Sequence, residues 1–400
     1  MSYSVLIYSY FLYCGRLIFQ HVGQCSIHEV SLLKLLFSLL FLIFIGFFES
    51  TVVWSQETTS ITNHIQIIKQ AEQEGRLVIY SVLSNKAAEP LVNKFKELYP
   101  KIKVDYDVEG GATETYERFL LETKSKSPSA DVMWSSAMDL QMNLVVGGFA
   151  AQYISPESAF IPKWANFKDL AWGTTYEPVV MVYNKQLLSP NDVPKNHEML
   201  RQLLLSNKER FKGKVTLFDL EKSGVGYMFA VQDQRNSREW SDLLSVIGAS
   251  KPFLASGSGE MLKRINAGES IVGYNIMGSY ALSRSKKDLP NLGVSPPNDF
   301  TPILSRVMFI NAHALHPNAA KLWVDFVLSQ RGQEIIANDL ELNSIRLDSV
   351  SVNSEQSLNK KLGSAAKLIP INEALVETLK DDFRVPFISR WKQAMNFLKD

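Results

Sequence analysis

Gly75-Arg76-Leu77-Val78-Ile79-Tyr80-Ser81-Val82-Leu83-Ser84-Asn85 is the stretch on which the fold turns. Its apolar run has no polar face and follows Glu74-Gly75, as a strand buried on both sides of a parallel sheet would. From Asn85 to Tyr99 the apolar residues Leu91, Val92, Phe95, Leu98 and Tyr99 fall at helical spacing, and Pro100 closes the run. Ile102 to Val108 alternates like a second strand. Thr113 to Lys124 then carries Tyr116, Phe119 and Leu120 on one helical face. Ala130-Asp131-Val132-Met133-Trp134 predicts a third strand, and Ala137 to Val146 a third helix ending at Gly147-Gly148. Three βα units in a row build a parallel sheet with helices on its faces, and such sheets bind ligands at the carboxyl ends of their strands. Those ends are Ser81 to Asn85 and Ser135-Ser136.

Further along, residues 151–175 read as irregular connection. Strands are predicted at Val179 to Tyr183, Lys214 to Phe218, Ser270 to Tyr274 and Arg306 to Asn311. Helices are predicted at 226–232, 238–248, Gly259 to Ala267 and Met277 to Lys286. The helix Pro317 to Leu328 has proline in its first turn and Leu322, Trp323, Phe326 and Val327 on one face. The fold class is α/β.

Composition narrows the function. The 400 residues hold 42 Lys plus Arg against 41 Asp plus Glu, so no surplus of cations exists to neutralise nucleic-acid phosphates. A hydrophobic fraction of 46% supports a sizeable core. Residues 1–55 differ from the rest. They hold Arg16, Lys34, Glu29, Glu49 and both cysteines, Cys14 and Cys25, and Leu35 to Phe48 is apolar apart from Ser38 and Gly46. Lys34, a short apolar run and then Val53-Trp54-Ser55 match a secretory signal cleaved after Ser55; the alternative is an N-terminal membrane anchor over Leu32 to Val53, which Glu49 would interrupt. Export to the periplasm is expected. Ser31-Leu32-Leu33-Lys34 makes an ordinary short charged segment, which places the true start near Val30.

Several segments together resemble the extracellular solute-binding proteins of ABC importers, in the branch related to ferric-ion and organophosphate binders. They are residues 75–81, Phe95-Lys96-Glu97-Leu98-Tyr99-Pro100, residues 130–134, Ala267-Gly268-Glu269 leading into Gly273-Tyr274-Asn275, and His316-Pro317-Asn318-Ala319-Ala320-Lys321. The resemblance spans roughly residues 75–347. It implies a two-lobe periplasmic-binding-protein fold, each lobe a mostly parallel sheet flanked by helices, with the lobes joined by crossing strands near Glu177 to Tyr183 and Arg306 to Ile310. Lobe one would comprise 76–176 plus about 306–347, and lobe two 180–303. Residues 348–400 would form a C-terminal helical segment. The implied mechanism is capture of a small solute, hinge closure and delivery to a membrane permease, by a protein expected to act as a monomer. The alternatives are a ferric-ion-binding protein of an ABC importer and a solute-sensing subunit serving a membrane kinase.

The iron branch of that family uses a histidine after the first strand, a carboxylate after the third and a tyrosine pair in lobe two. Here the corresponding segments read Val82-Leu83-Ser84-Asn85, Ser135-Ser136 and Asn275-Ile276-Met277-Gly278-Ser279-Tyr280. A ferric ion prefers anionic oxygens. Ser81, Ser84, Asn85, Ser135, Ser136, Ser223, Gly224 and Ser279 are instead small neutral groups at strand-to-helix junctions, where free backbone N–H groups and hydroxyls suit an oxyanion. Taken singly, each such Ser or Asn reads as a helix cap. Arg306 is a candidate anion partner, Glu177 an acceptor for hydroxyls or an amine, and Tyr274 and Tyr280 candidate cleft walls. Glu177 and Arg306 could equally pair with each other. No Gly-x-Ser-x-Gly, Walker, His-Glu-x-x-His or Cys-x-x-Cys pattern occurs, so binding is expected rather than catalysis, with no cofactor and no resident metal. His313 and His316 read as solvated loop residues.

Overall fold

The computed structural model describes residues 62–108 and 110–395; the expected leader, its cleavage site and the start near Val30 lie outside them. Two units separate by contact density, Met1–Ile65 and Gln66–Asp400. The second contains two sheets. In the first, β1 (Arg76–Ser81) lies between β2 (Lys103–Asp107) and β3 (Val132–Ser135), all parallel. The sheet continues antiparallel through β12 (Val307–Ile310) and β5 (Ala171–Gly173) to β4 (Asn166–Phe167). In the second, β7 (Val215–Phe218) lies parallel between β8 (Phe253–Ala255) and β9 (Val272–Met277). There β6 (Glu177–Asn184) pairs antiparallel with β9, with β10 (Leu292–Ser295) and with β11 (Thr301–Leu304), and β11 pairs parallel with β13 (Ala366–Leu368). The parallel strands β1, β2, β3, β7, β8 and β9 each lead into a helix; β6 and β12, beside the crossings, run against them. This is the two-lobe periplasmic-binding-protein fold.

Each sheet is buried between helices. Leu77, Ile79, Val132, Phe95 and Trp323 share one apolar cluster. Val215, Val272, Ile276, Phe229 and Trp240 belong to another, which also takes in Phe119, Met138 and Phe309 from the first sheet's surroundings. The helix Pro317–Leu328 begins where the sequence places it. Glu74 accepts hydrogen bonds from Asn318 N and Ala319 N at its first turn. His316 is bound rather than solvated: its Nδ1 lies 2.8 Å from Oδ2 of the fully buried Asp131, which also accepts from Val78 N.

The 151–175 stretch is more ordered than expected, because β4 and β5 find antiparallel partners there. The C-terminal residues include β13 besides three helices, Glu355–Leu362, Ala374–Glu377 and Asp381–Ala394. The last helix docks on lobe two. Phe387 stacks on Trp240 at 5.2 Å, and Trp391 is fully buried. Gly248, in the helix Trp240–Ala249, allows that approach, since a Cβ there would lie 1.9 Å from the Ala394 carbonyl oxygen. Gly248→Ala is therefore expected to lower stability by about 1–3 kcal/mol through overpacking. Thermal unfolding and protease cleavage within 381–394 measure it; wild-type values for both would show that the contact relaxes freely.

Candidate functional site

Strand register locates the site before any side chain is considered. The chain leaves sheet one at Gly173 and enters sheet two at Glu177; it leaves sheet two at Leu304 and returns at Val307. Val307 pairs with both Gly173 and Ser135, and Leu304 pairs with Glu177. Val179 pairs with Met277, the last residue of β9. The carboxyl ends of the parallel strands in both sheets therefore face the crossings, carrying Ser81, Ser135 and Ser136 from one side and Ser223, Gly224 and Ser279 from the other.

The hydroxyls there are organised. Ser81 Oγ accepts from Leu83 N and Ser135 Oγ from Ala137 N, both at 3.2 Å. Ser84 caps the helix Asn85–Leu98 by accepting from Ala87 N, so Asn85 is its first residue. Ser223 caps Gly224–Asn236 by accepting from Gly226 N. The cap reading thus holds for Ser84 and Ser223, whereas Ser81 and Ser135 each hold a backbone N–H two residues on without capping a helix; the ligand reading stays open. A hydroxyl that accepts one backbone N–H still has its own O–H to donate, though that of Ser81 goes to Tyr106. Gly224 marks where lobe two meets lobe one: a Cβ there would lie 2.9 Å from Leu140 Cδ1 and 3.5 Å from Thr113 Oγ1.

Three expectations need correction. Glu177 and Arg306 are each other's partners. Arg306 Nε donates to Glu177 Oε1 at 2.8 Å and Nη2 to Oε2 at 3.2 Å, with Glu177 at 0% and Arg306 at 3% exposure. Thr175 Oγ1 donates to Glu177 Oε1 and accepts from Arg306 N. Two opposite charges brought out of water at the hinge pair with each other before anything else. Glu177 is therefore no free acceptor, and the Nε and Nη2 edge of Arg306's fork is committed to it. Tyr274 lies away from the crossings. β9 runs three residues beyond it, and its hydroxyl donates to Asp233 Oδ2 inside lobe two at 2.8 Å.

Two groups escaped the sequence reading. Tyr106, at the end of β2, donates from its hydroxyl to the Leu83 carbonyl and is hydrogen-bonded to Ser81; burial pushes its phenol well up. Ser258 opens the helix Ser258–Asn266 after β8, and its buried hydroxyl has no partner. Its neighbour Gly259 would place a Cβ 3.5 Å from the Tyr280 hydroxyl, which itself accepts from Arg284. The segment Ser256-Gly257-Ser258-Gly259 is a further strand-to-helix junction of the same chemistry as those singled out.

A family model described as bacterial extracellular solute-binding protein matches residues 81–334. The chain belongs to that family. No curated protein matches it in sequence. Among solved structures, this solute-binding protein is similar to the substrate-binding protein of an ABC transporter from Agrobacterium tumefaciens. The two share 30% identity over 80% of this chain and 94% of that one, at a TM-score of 0.77. The periplasmic binding protein AfuA of Actinobacillus pleuropneumoniae, described with fructose-6-phosphate bound, shares 20% identity over 81% and 99%, at 0.64. A ferric binding protein of Campylobacter jejuni shares 21% over 80% and 99%, at 0.62. The protein is a solute-binding protein of an ABC transporter, of a family that serves transport. Among the described residues no helix is long and apolar enough to cross a membrane, and no group of three or more His, Cys, Asp or Glu is placed to hold a metal.

Two buried acids of this solute-binding protein give it a pH signature. Burial pushes Asp139 up to about 7 and Asp233 up to about 6. Each has one oxygen without a partner. A carboxyl whose pKa rises on folding binds more protons in the folded state, so stability falls as pH climbs from the ordinary carboxylate range through the raised value. The melting temperature is expected to decline between about pH 5 and pH 8, and Asp139→Asn should flatten the upper part of that decline. Parallel profiles for the two proteins would sink this assignment.

Proposed function

We propose that the protein captures a small anionic organic solute, a phosphate ester by preference, between its lobes in the periplasm and delivers it to an ABC permease, acting as a monomer after removal of its leader. The observation that carries the reading is the set of small hydroxyls and helix starts on both facing edges: Ser81, Ser84, Asn85, Ser135 and Ser136 opposite Ser223, Gly224, Ser258, Ser279 and Tyr280. Helix N-termini with hydroxyl donors suit the oxygens of a phosphate or carboxylate. The one carboxylate at the crossings, Glu177, is neutralised by Arg306 and does not repel an anion.

The similarity to a sugar-phosphate-bound protein favours the same class. Ferric ion is the competing solute, since a ferric binder is among the similar structures. The donor set argues against it: Glu177 is committed, and Tyr106 is held in its neutral phenol form by burial. Calorimetry with sugar phosphates, phosphonates and simple carboxylates tests the proposal, with ferric citrate as the control. Saturable binding of one phosphate ester is expected. Visible colour on adding ferric salt, with no heat from any anion, would overturn it.

A further inference from the structure

Away from the crossings, lobe two holds a cavity of about 260 Å3 lined by His197, Trp240, Tyr274, Asp299 and Phe300, with Glu198, Arg201 and Glu239 at its sides. Its walls are aromatic. His197 lies flat on Phe300, with ring centres 4.0 Å apart and planes 5° from parallel, and stands edge-on to Tyr274 at 5.7 Å. Behind Trp240 and Tyr274 is a smaller chamber of about 20 Å3, which Asp233 and Asn275 also line. That is room for about one water. Asp233 is fully buried; Tyr274 and Asn275 both donate to its Oδ2, and its Oδ1 has no partner.

The charges decide what such a cavity holds. Arg201 is forked by Glu198 at 2.7 and 2.8 Å, so those two cancel. His197 Nδ1 lies 2.9 Å from both Asp299 oxygens. Glu239 has no ion pair among the described residues, and Asp233 adds a further acid behind the wall. Two helices begin here, His197–Ser206 and Trp240–Ala249. Asp299 already accepts from His197 N, and Glu239 flanks the other helix start, so an anion finds carboxylates where it would need donors. Aromatic faces with surplus carboxylates suit the opposite charge, through cation–π attraction and direct ion pairing.

From this geometry we infer that lobe two carries a second binding site, separate from the cleft, for a small organic cation of the alkylammonium or guanidinium class. Trp240, Tyr274 and Phe300 supply the aromatic walls; Asp299 and Glu239 supply the charge.

Calorimetry on the purified protein with tetramethylammonium, ethylammonium and methylguanidinium chlorides at constant ionic strength is the test, with sodium chloride as the control. At least one of the three is expected to saturate at one site. Glu239→Lys, an exposed position at a helix start, should weaken it about tenfold or more while lowering the ligand-free melting temperature by only a few degrees. Ser84→Asp, in the cleft, should leave it unchanged. No saturation by any of the three cations, or equal affinity in wild type, Glu239→Lys and Asp299→Asn, overturns the site. Tetramethylammonium against ethylammonium separates a purely aromatic cage from one that also uses hydrogen bonds.

Discussion

Replacing Arg306 with alanine is expected to lower the free energy of unfolding by about 3–5 kcal/mol, because it leaves the Glu177 carboxylate buried without its partner. Nothing nearby can substitute. Thr175 gives Glu177 one hydrogen bond, and both residues sit at the hinge with almost no access to water. The double variant Arg306→Met/Glu177→Gln should recover most of the loss, since a buried ion pair replaced by neutral groups of similar size is often near-neutral in stability. Read from the sequence alone, Arg306→Ala should weaken anion binding more than folding. The ion pair reverses that order. Urea unfolding of the two variants decides it: wild-type stability in Arg306→Ala together with lost anion affinity would restore the ligand role.

How much was legible follows from which interactions are local. The first βα units could be read because β1 and β3 are short apolar runs and β2 alternates, and β1 begins just after Gly75, where that run does. The helix Pro317–Leu328 carries its own start signal in Pro317. The short strands β8, β10, β11 and β13, of three or four residues, carry too little pattern to stand out; neighbouring strands make them strands. Missing β8 also hid Ser258, although Ser256-Gly257-Ser258-Gly259 before a helical pattern was signal enough for another strand-to-helix turn. Tyr274 was misplaced for a related reason. Ending the strand at Tyr274 puts it at the cleft, whereas β9 continues to Met277 through Asn275 in a left-handed conformation, φ 58°. Asn275 tolerates that backbone better than most residues, and its side chain is tied to Asp233. The Glu177–Arg306 pair joins residues 129 positions apart, and no local pattern distinguishes it from two independent ligands.

The site's sign can be tested without disturbing the fold, at Ser84. This residue is exposed and caps Asn85–Leu98 through its side chain. Aspartate caps a helix about as well as serine, and a negative charge at a helix N-terminus is favourable in its own right. Ser84→Asp should therefore leave the melting temperature within about 1–2 °C of wild type, since surface changes of this kind are worth about 0.5 kcal/mol or less. Ser84→Ala, by contrast, loses the cap and about 1 kcal/mol. For an anionic solute held at the ends of β1 and β3, the new carboxylate adds a repulsion worth about tenfold to a hundredfold in affinity. Lys86, in the same first turn, moderates the repulsion without removing it, because its charge also acts on Asp288 of lobe two, which Arg284 already holds below the ordinary carboxylate range. Ferric ion or any cationic solute would respond with the opposite sign, binding Ser84→Asp more tightly. Calorimetry with the best phosphate ester and with ferric citrate, on wild type, Ser84→Asp and Ser84→Ala, reads charge preference apart from stability. An anion affinity untouched by aspartate would place the solute away from this helix start.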